Sequence, residues 1–238
     1  MATDTRDAGG FYATALGQMT AALLRRKLLG LWPDCAGMSI LGLGATGPYL
    51  HLWREQAQRC IAISPPQLGG LNPWPAGRAN LACSAEEDAL PFPDMMFDRI
   101  LLVHGLEQAG NARRCLREVW RLLKDDGRLI VVVPNRRGLW AHVETTPFGQ
   151  GQPYSEAQLT RLLHGLFFRV EKEESCLFAP PVPWEPALRA FNLCERTGHI
   201  LMPQLAGLHI VEATKNLQGL IPARRRASGR RVLVDAGR

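Results

Sequence analysis

The sequence predicts a doubly wound α/β fold with a mostly parallel sheet and helices on both faces. Two observations carry this expectation. Between Leu90 and Asn135 the chain reads turn (LPFPDMMFD), buried strand (RILLVHGLEQ), helix and second buried strand (LREVWRLLKDDGRLIVVVPN), the order that such a sheet requires. Upstream, SILGLGATG (Ser39 to Gly47) places a glycine-rich turn after an apolar run and before a helix.

In chain order, Leu16, Met19, Leu23, Leu24 and Leu28 recur at helical spacing and predict a helix over about 11–31, ended by Gly30 and Pro33. A first strand is expected at Met38 to Gly42. The GLGATG turn then leads into a helix from Pro48 toward Gln58, with proline early in the helix where its missing N–H costs little. RCIAIS (Arg59 to Ser64) reads as the second strand. The stretch PPQLGGLNPWPAGRAN holds too much proline and glycine for a crossover helix, so a long loop carrying Trp74 should cross the carboxyl edge of the sheet. Ala79 to Cys83 and Arg99 to Val103 are the third and fourth strands. Asn111 is placed to cap a helix that Leu116, Val119, Trp120 and Leu123 turn toward the sheet and that Gly127 closes. Leu129 to Val133 is the fifth strand. A turn-rich connection and a helix from Ser155 to about His164 follow it. Phe167 to Glu171 and Leu208 to Ala213 are the last strands, with a helix from Glu185 to Met202 between them and the final strand antiparallel.

The 238 residues, 46% of them hydrophobic, suit one large domain over 1–214 followed by a basic tail over 215–238. From Lys215 onward seven basic residues stand against one acid, Asp235, and account for the whole net charge of +6. Such a tail suits nucleic acid, anionic lipid or an acidic partner, although a short basic terminus is more often a solvated end. The acidic, polar N-terminus (MATDTRDAGG) and the lack of a bilayer-length apolar run lead us to expect a soluble, cytosolic protein. Six cysteines without a CxxC pair indicate neither a disulfide framework nor a zinc site, and no metal is expected.

The segment Leu90 to Asp98, then His104 with Leu106 and Glu107, then Arg121 to Gly127 resembles class I S-adenosylmethionine-dependent methyltransferases, of the small-molecule branch that includes quinone-biosynthesis enzymes. The resemblance is densest from Glu86 to Asn135 and continues in element order from Ser39 to Lys215. It implies a Rossmann-like sheet of seven strands, one of them antiparallel, with S-adenosylmethionine as cofactor. It also implies a cofactor site at Gly42 and Gly44 of the turn, Ser64 at the end of the second strand, Glu86 beside the adenine by its spacing to Leu90-Pro91 (Glu87 if a gap of one residue transfers the role), and His104 after the fourth strand. Ile40 and Ser64 stand where the family carries acids. A hydroxyl in place of the ribose-binding carboxylate forfeits roughly 1 to 2 kcal/mol. Tyr12, on a helix that in relatives lies over the cofactor, and Trp140, in the connection after the fifth strand, are the candidate substrate contacts. No second group at fixed spacing marks His104 as half of an acid/base pair. The expected activity is methyl transfer to a small molecule or an exposed protein group. The alternative is a methyltransferase-like protein without catalysis, working as a binding or regulatory module for a protein partner. Nucleic-acid association through Arg224 to Arg231 is the weakest reading, since the body lacks basic patches interleaved with aromatics.

Overall fold

The computed structural model describes residues 8–68 and 73–217. In chain order its elements are α1 (Ala8–Ala13), α2 (Ala15–Leu31), β1 (Ser39–Gly44), α3 (Gly47–Leu50), β2 (Arg59–Ser64), β3 (Ala82–Ser84), β4 (Phe97–Val103), α4 (Ala112–Leu122), β5 (Leu123–Pro134), α5 (Glu156–His164), β6 (Phe168–Cys176), α6 (Glu185–Leu201) and β7 (Leu208–Lys215). Short 3-10 turns lie at Pro66–Leu68, Leu139–His142, Pro147–Gly149 and Pro203–Leu205. The seven strands form one sheet in the order β3-β2-β1-β4-β5-β7-β6. Strand β7 runs antiparallel between β5 and β6, and the pairs from β3 through β5 are parallel.

The central strands alternate between two buried faces because successive side chains leave a strand on opposite sides. Ile40, Leu101, Val103, Ile130, Val132, Leu208 and Ile210 pack on one face with α2 and Trp53. Leu41, Leu43, Ile100, Leu102, Leu129, Val131 and Val211 pack on the other with α4 and α5. With both faces covered, the strands read as continuous apolar runs, which is why the sequence exposes them.

Four expectations are corrected. The N-terminal helix is split, because Thr14 leaves helical geometry and its hydroxyl accepts from Gly17 N–H, starting α2 afresh. The helix expected to run from Pro48 toward Gln58 stops at Leu50 and continues as turns over 51–56. Its bonds there mix three- and four-residue spacings (Trp53 N–H to Leu50, Arg54 N–H to Leu50), while Trp53 is drawn into the core with its indole N–H on Trp32 O at 2.9 Å. Gly127 does not close α4. The helix ends at Leu122, and the chain enters β5 with a register shift: Phe97 pairs with Leu123 but Arg99 with Arg128. Gly127 serves that irregularity, packed so closely on Leu123 and Lys124 O that a Cβ would collide. The third strand begins later than expected, at Ala82.

Other local expectations hold. Asn111 Oδ1 accepts from Arg113 and Arg114 N–H, and Ser155 forms a reciprocal capping box with Gln158. Lys215 closes β7, while Arg224 to Arg231 lie outside the described residues. Among the described residues no helix is long and apolar enough to cross a membrane.

Candidate functional site

Strand order reverses direction between β1 and β4, and open α/β sheets bind ligands at the carboxyl ends of strands flanking such a switch. The glycine-rich turn leaves β1 there. Gly44 takes φ +97°, and a Cβ on it would run into Val103 O of β4. Only glycine lets the two strand ends approach this closely. Gly42 serves packing instead, since a Cβ would strike Thr46 and Leu50.

Beside this turn lies a cavity of about 690 Å3. Gly44, Ala45 and Gly47 form one wall, Ser64 at the end of β2 another, and Tyr12 and Arg25 from the N-terminal helices a third. The loop after β2 contributes Trp74, whose indole N–H donates to Gly47 O at 3.0 Å. That loop therefore borders the cleft, as its composition suggested. Arg25 is the one charged side chain among the described lining residues. A larger groove of about 970 Å3 opens along Glu173, Ser175 and His209, but it shares no lining residue with this cavity and has no glycine-rich turn.

The remaining sequence candidates separate. Ile40 is fully buried in the core cluster and does not line the cavity. Glu86 is exposed, whereas Glu87 is 6% exposed. One Glu87 oxygen accepts from Gly110 N–H at 3.0 Å, and the other is buried without a partner. Glu87 borders a narrow void with Pro65, Leu68, Gly105, Gln108 and Ala109, at the carboxyl ends of β2 and β4. Trp140 is 1% exposed, donates to Ala179 O at 2.8 Å and packs edge-on against Phe11 and Phe148, as a core residue.

His104 does have a partner, contrary to the sequence expectation. Its Nδ1 lies 3.2 Å from Glu107 Oε1, with both side chains wholly buried. The carboxylate can only accept, so Nδ1 carries the ring proton and Nε2 is the acceptor. The Tyr12 O–H donates to Nε2 at 2.8 Å, and Tyr49 Oη donates to Tyr12 Oη at 2.7 Å. Four groups thus form one chain running Tyr49, Tyr12, His104, Glu107, with every hydrogen pointing toward the carboxylate. Burial pushes the Tyr49 and Tyr12 phenols well above the usual tyrosine range, so both are protonated. The second Glu107 oxygen is buried without a partner. His104 itself sits at φ +55°, a conformation that a non-glycine residue rarely adopts, and Phe148 packs 4.5 Å from its ring. The sequence held part of this signal, since Glu107 follows His104 by three residues, but only a turn of this shape brings them together. Tyr12 is 92 positions away.

Residues 41–131 match the methyltransferase domain family. Similar solved structures include an S-adenosylmethionine-dependent methyltransferase from Archaeoglobus fulgidus (TM-score 0.57, 19% identity, 82% of this chain and 94% of that one) and another from Mesorhizobium loti (0.56, 15%, 81% and 96%). A chain of the Haloferax volcanii complex formed by the Trm112 methyltransferase activator is also similar (TM-score 0.56, 18% identity, 77% of this chain and 84% of that one). At these identities the structures speak for the fold. In sequence, a ubiquinone/menaquinone biosynthesis C-methyltransferase UbiE from Enterobacter is 44% identical over 48 residues, 20% of this chain and 19% of that protein. The chain therefore spans about a fifth of the length of the curated relatives it matches. The chain has the class I methyltransferase fold, and the likeness of residues 41–131 to the methyltransferase domain implies S-adenosylmethionine as the cofactor.

Proposed function

We propose that the chain transfers a methyl group from S-adenosylmethionine to a small-molecule acceptor in the cytosol. The observation that carries this reading is the cavity of about 690 Å3 where the glycine-rich turn, the end of β2 and the N-terminal helices meet. The residues around it fit the cofactor. The backbone of Gly44 to Gly47 can approach it closely and the Ser64 hydroxyl suits ribose hydroxyls, while Glu87, whose unpartnered oxygen suits the donor hydrogens of an exocyclic amine, stands outside the lining, beside the narrow void that shares Leu68 with the cavity. The bound cofactor supplies an electrophilic methyl carbon on a sulfonium. The protein's contribution is then mainly positional: Tyr12 and Trp74 wall the cavity, and aligning an acceptor about 3 to 3.5 Å from the methyl carbon supplies much of the rate. Calorimetric titration with S-adenosylhomocysteine tests the reading. Micromolar affinity supports it, and no heat at millimolar ligand overturns it.

A second reading, a binding or regulatory protein without catalysis, is favoured by one observation: no described residue lining the cavity is a carboxylate. On this reading Ser64→Asp tightens cofactor binding while no extract yields a methylated product, and a product made by the native chain defeats it. The likeness to a chain of the Trm112 activator complex supports a protein partner under either reading.

A further inference from the structure

We propose that Tyr12, His104 and Glu107 form a proton relay that deprotonates the methyl acceptor, and that the acceptor is an aromatic alcohol, a phenol or an enol on a flat ring. This deepens the methyl-transfer reading and rests on it.

Three features of the chain Tyr49, Tyr12, His104, Glu107 support a relay over a packing arrangement. A buried imidazole with a carboxylate on one nitrogen and an acceptor position on the other has the geometry of a base held in one tautomer. Nothing in packing requires a carboxylate at Glu107, because its second oxygen is buried without a partner, an arrangement that costs stability. His104 also holds a strained left-handed backbone that keeps its ring between Tyr12 and Glu107.

Within the chain, Tyr12 alone lines the cavity. Its oxygen accepts one hydrogen from Tyr49 and donates its own to His104, which leaves one lone pair for an incoming O–H. An acceptor proton passes to Tyr12 Oη as the Tyr12 hydrogen passes to His104 Nε2. One O–H bond breaks on the acceptor, one N–H bond forms on the ring, and Tyr12 ends as a neutral phenol. The positive ring then has the Glu107 oxygen 3.2 Å from its other nitrogen, and the acceptor keeps its electron pair as the nucleophile.

The acceptor class follows from charge. Carboxylates and other groups already ionised at neutral pH have no proton to give, and an ammonium would enter a cavity whose one charged lining side chain among the described residues is the Arg25 guanidinium. A neutral hydroxyl that becomes an anion meets the opposite situation, because Arg25 lies within electrostatic reach of the Tyr12 hydroxyl. Trp74, the other aromatic ring on the cavity wall, suits a flat ring in the same cavity as that hydroxyl.

The test uses 4-nitrophenol, whose ionised form absorbs visible light, with the full chain and no cofactor. The expected result is saturable binding with a bound phenolate fraction about tenfold above that in free solution at the same pH, a shift of about one pKa unit. Tyr12→Phe and Glu107→Gln should keep the fold by circular dichroism yet lose that enrichment. If either variant fails to fold, the nitrogen resonances of labelled His104 in the native chain decide, since Nε2 must gain a proton when the probe binds. A probe bound only as the neutral phenol, enrichment retained in Tyr12→Phe, no binding at millimolar probe, or displacement by 2-phenylethylammonium would each overturn the proposal. Titration with S-adenosylhomocysteine, run separately, distinguishes the two levels. Cofactor binding without phenol ionisation rejects the relay alone, and phenol ionisation without cofactor binding rejects methyl transfer alone.

Discussion

A carboxylate placed at residue 40 and one placed at residue 64 would meet opposite surroundings. Ile40 is fully buried on β1 in an apolar cluster with Leu101, Ile130 and Trp53. Ile40→Asp should therefore lower stability by about 3 to 5 kcal/mol, the scale of an unpaired charge left in a core, without improving cofactor affinity. Ser64 stands half-buried on the cavity wall, where a carboxylate keeps access to solvent and to ligand hydroxyls. Ser64→Asp should leave the fold intact and tighten S-adenosylhomocysteine about tenfold, the difference between a neutral and a charged acceptor. Urea midpoints and calorimetry check the pair, and a tighter Ile40→Asp variant would refute the assignment of that side chain to the core.

At the scale of elements, one carboxylate ties α6 to the end of β6. The Glu195 oxygens accept from Leu177 and Ala179 N–H at 3.1 and 3.0 Å, at the turn where β6 ends and Leu177 takes φ +64°. Glu195→Ala leaves two buried amides unpaired and should cost about 2 to 4 kcal/mol, whereas Glu195→Gln, which keeps one accepting oxygen, should cost about half as much. Equal urea midpoints for the two variants would show that the contact is incidental. The sequence disclosed α6 through its length and the β strands through their apolar runs, because burial on both sheet faces leaves a composition that can be read directly. It could not disclose contacts of this kind. A carboxylate on a helix looks solvated until the partner amides arrive from a turn 16 or 18 residues earlier. The same limit hid the site. Gly44 and Ser64 were legible from position along the chain, but the choice of Glu87 over Glu86 for burial and the joining of Tyr12 to His104 depend on the tertiary path of two loops.

Across the whole molecule, the buried His209, the exposed His51 and the half-buried Asp98 make stability fall on acidification in two separate ranges. Burial lowers the pKa of His209, with Glu173 opposing it, and burial with the nearby Arg25 lowers that of His51, both below the ordinary 6.5. The folded chain then binds fewer protons than the unfolded one, so the stability that these groups contribute is full above about pH 6.5 and is lost as pH falls from there toward their folded values. Asp98 acts lower. Burial raises its pKa, but Lys124 at 2.7 Å, the Ser39 N–H at 2.9 Å and Arg99 outweigh that, and the net value falls below the ordinary 3.8. Its contribution is therefore complete above that value and is lost only as pH falls below it. Asp98 sits on β4 and bonds to the start of β1 and to the irregular opening of β5, so this loss loosens the centre of the sheet at its amino end. Urea midpoints of the native chain and of Asp98→Asn, measured from pH 7 to pH 3, should differ by a constant amount down to about pH 4 and draw together below that, because protonated Asp98 and asparagine are both neutral. A gap that stays constant through the whole range would mean that Lys124 and Ser39 do not hold Asp98 in its charged form.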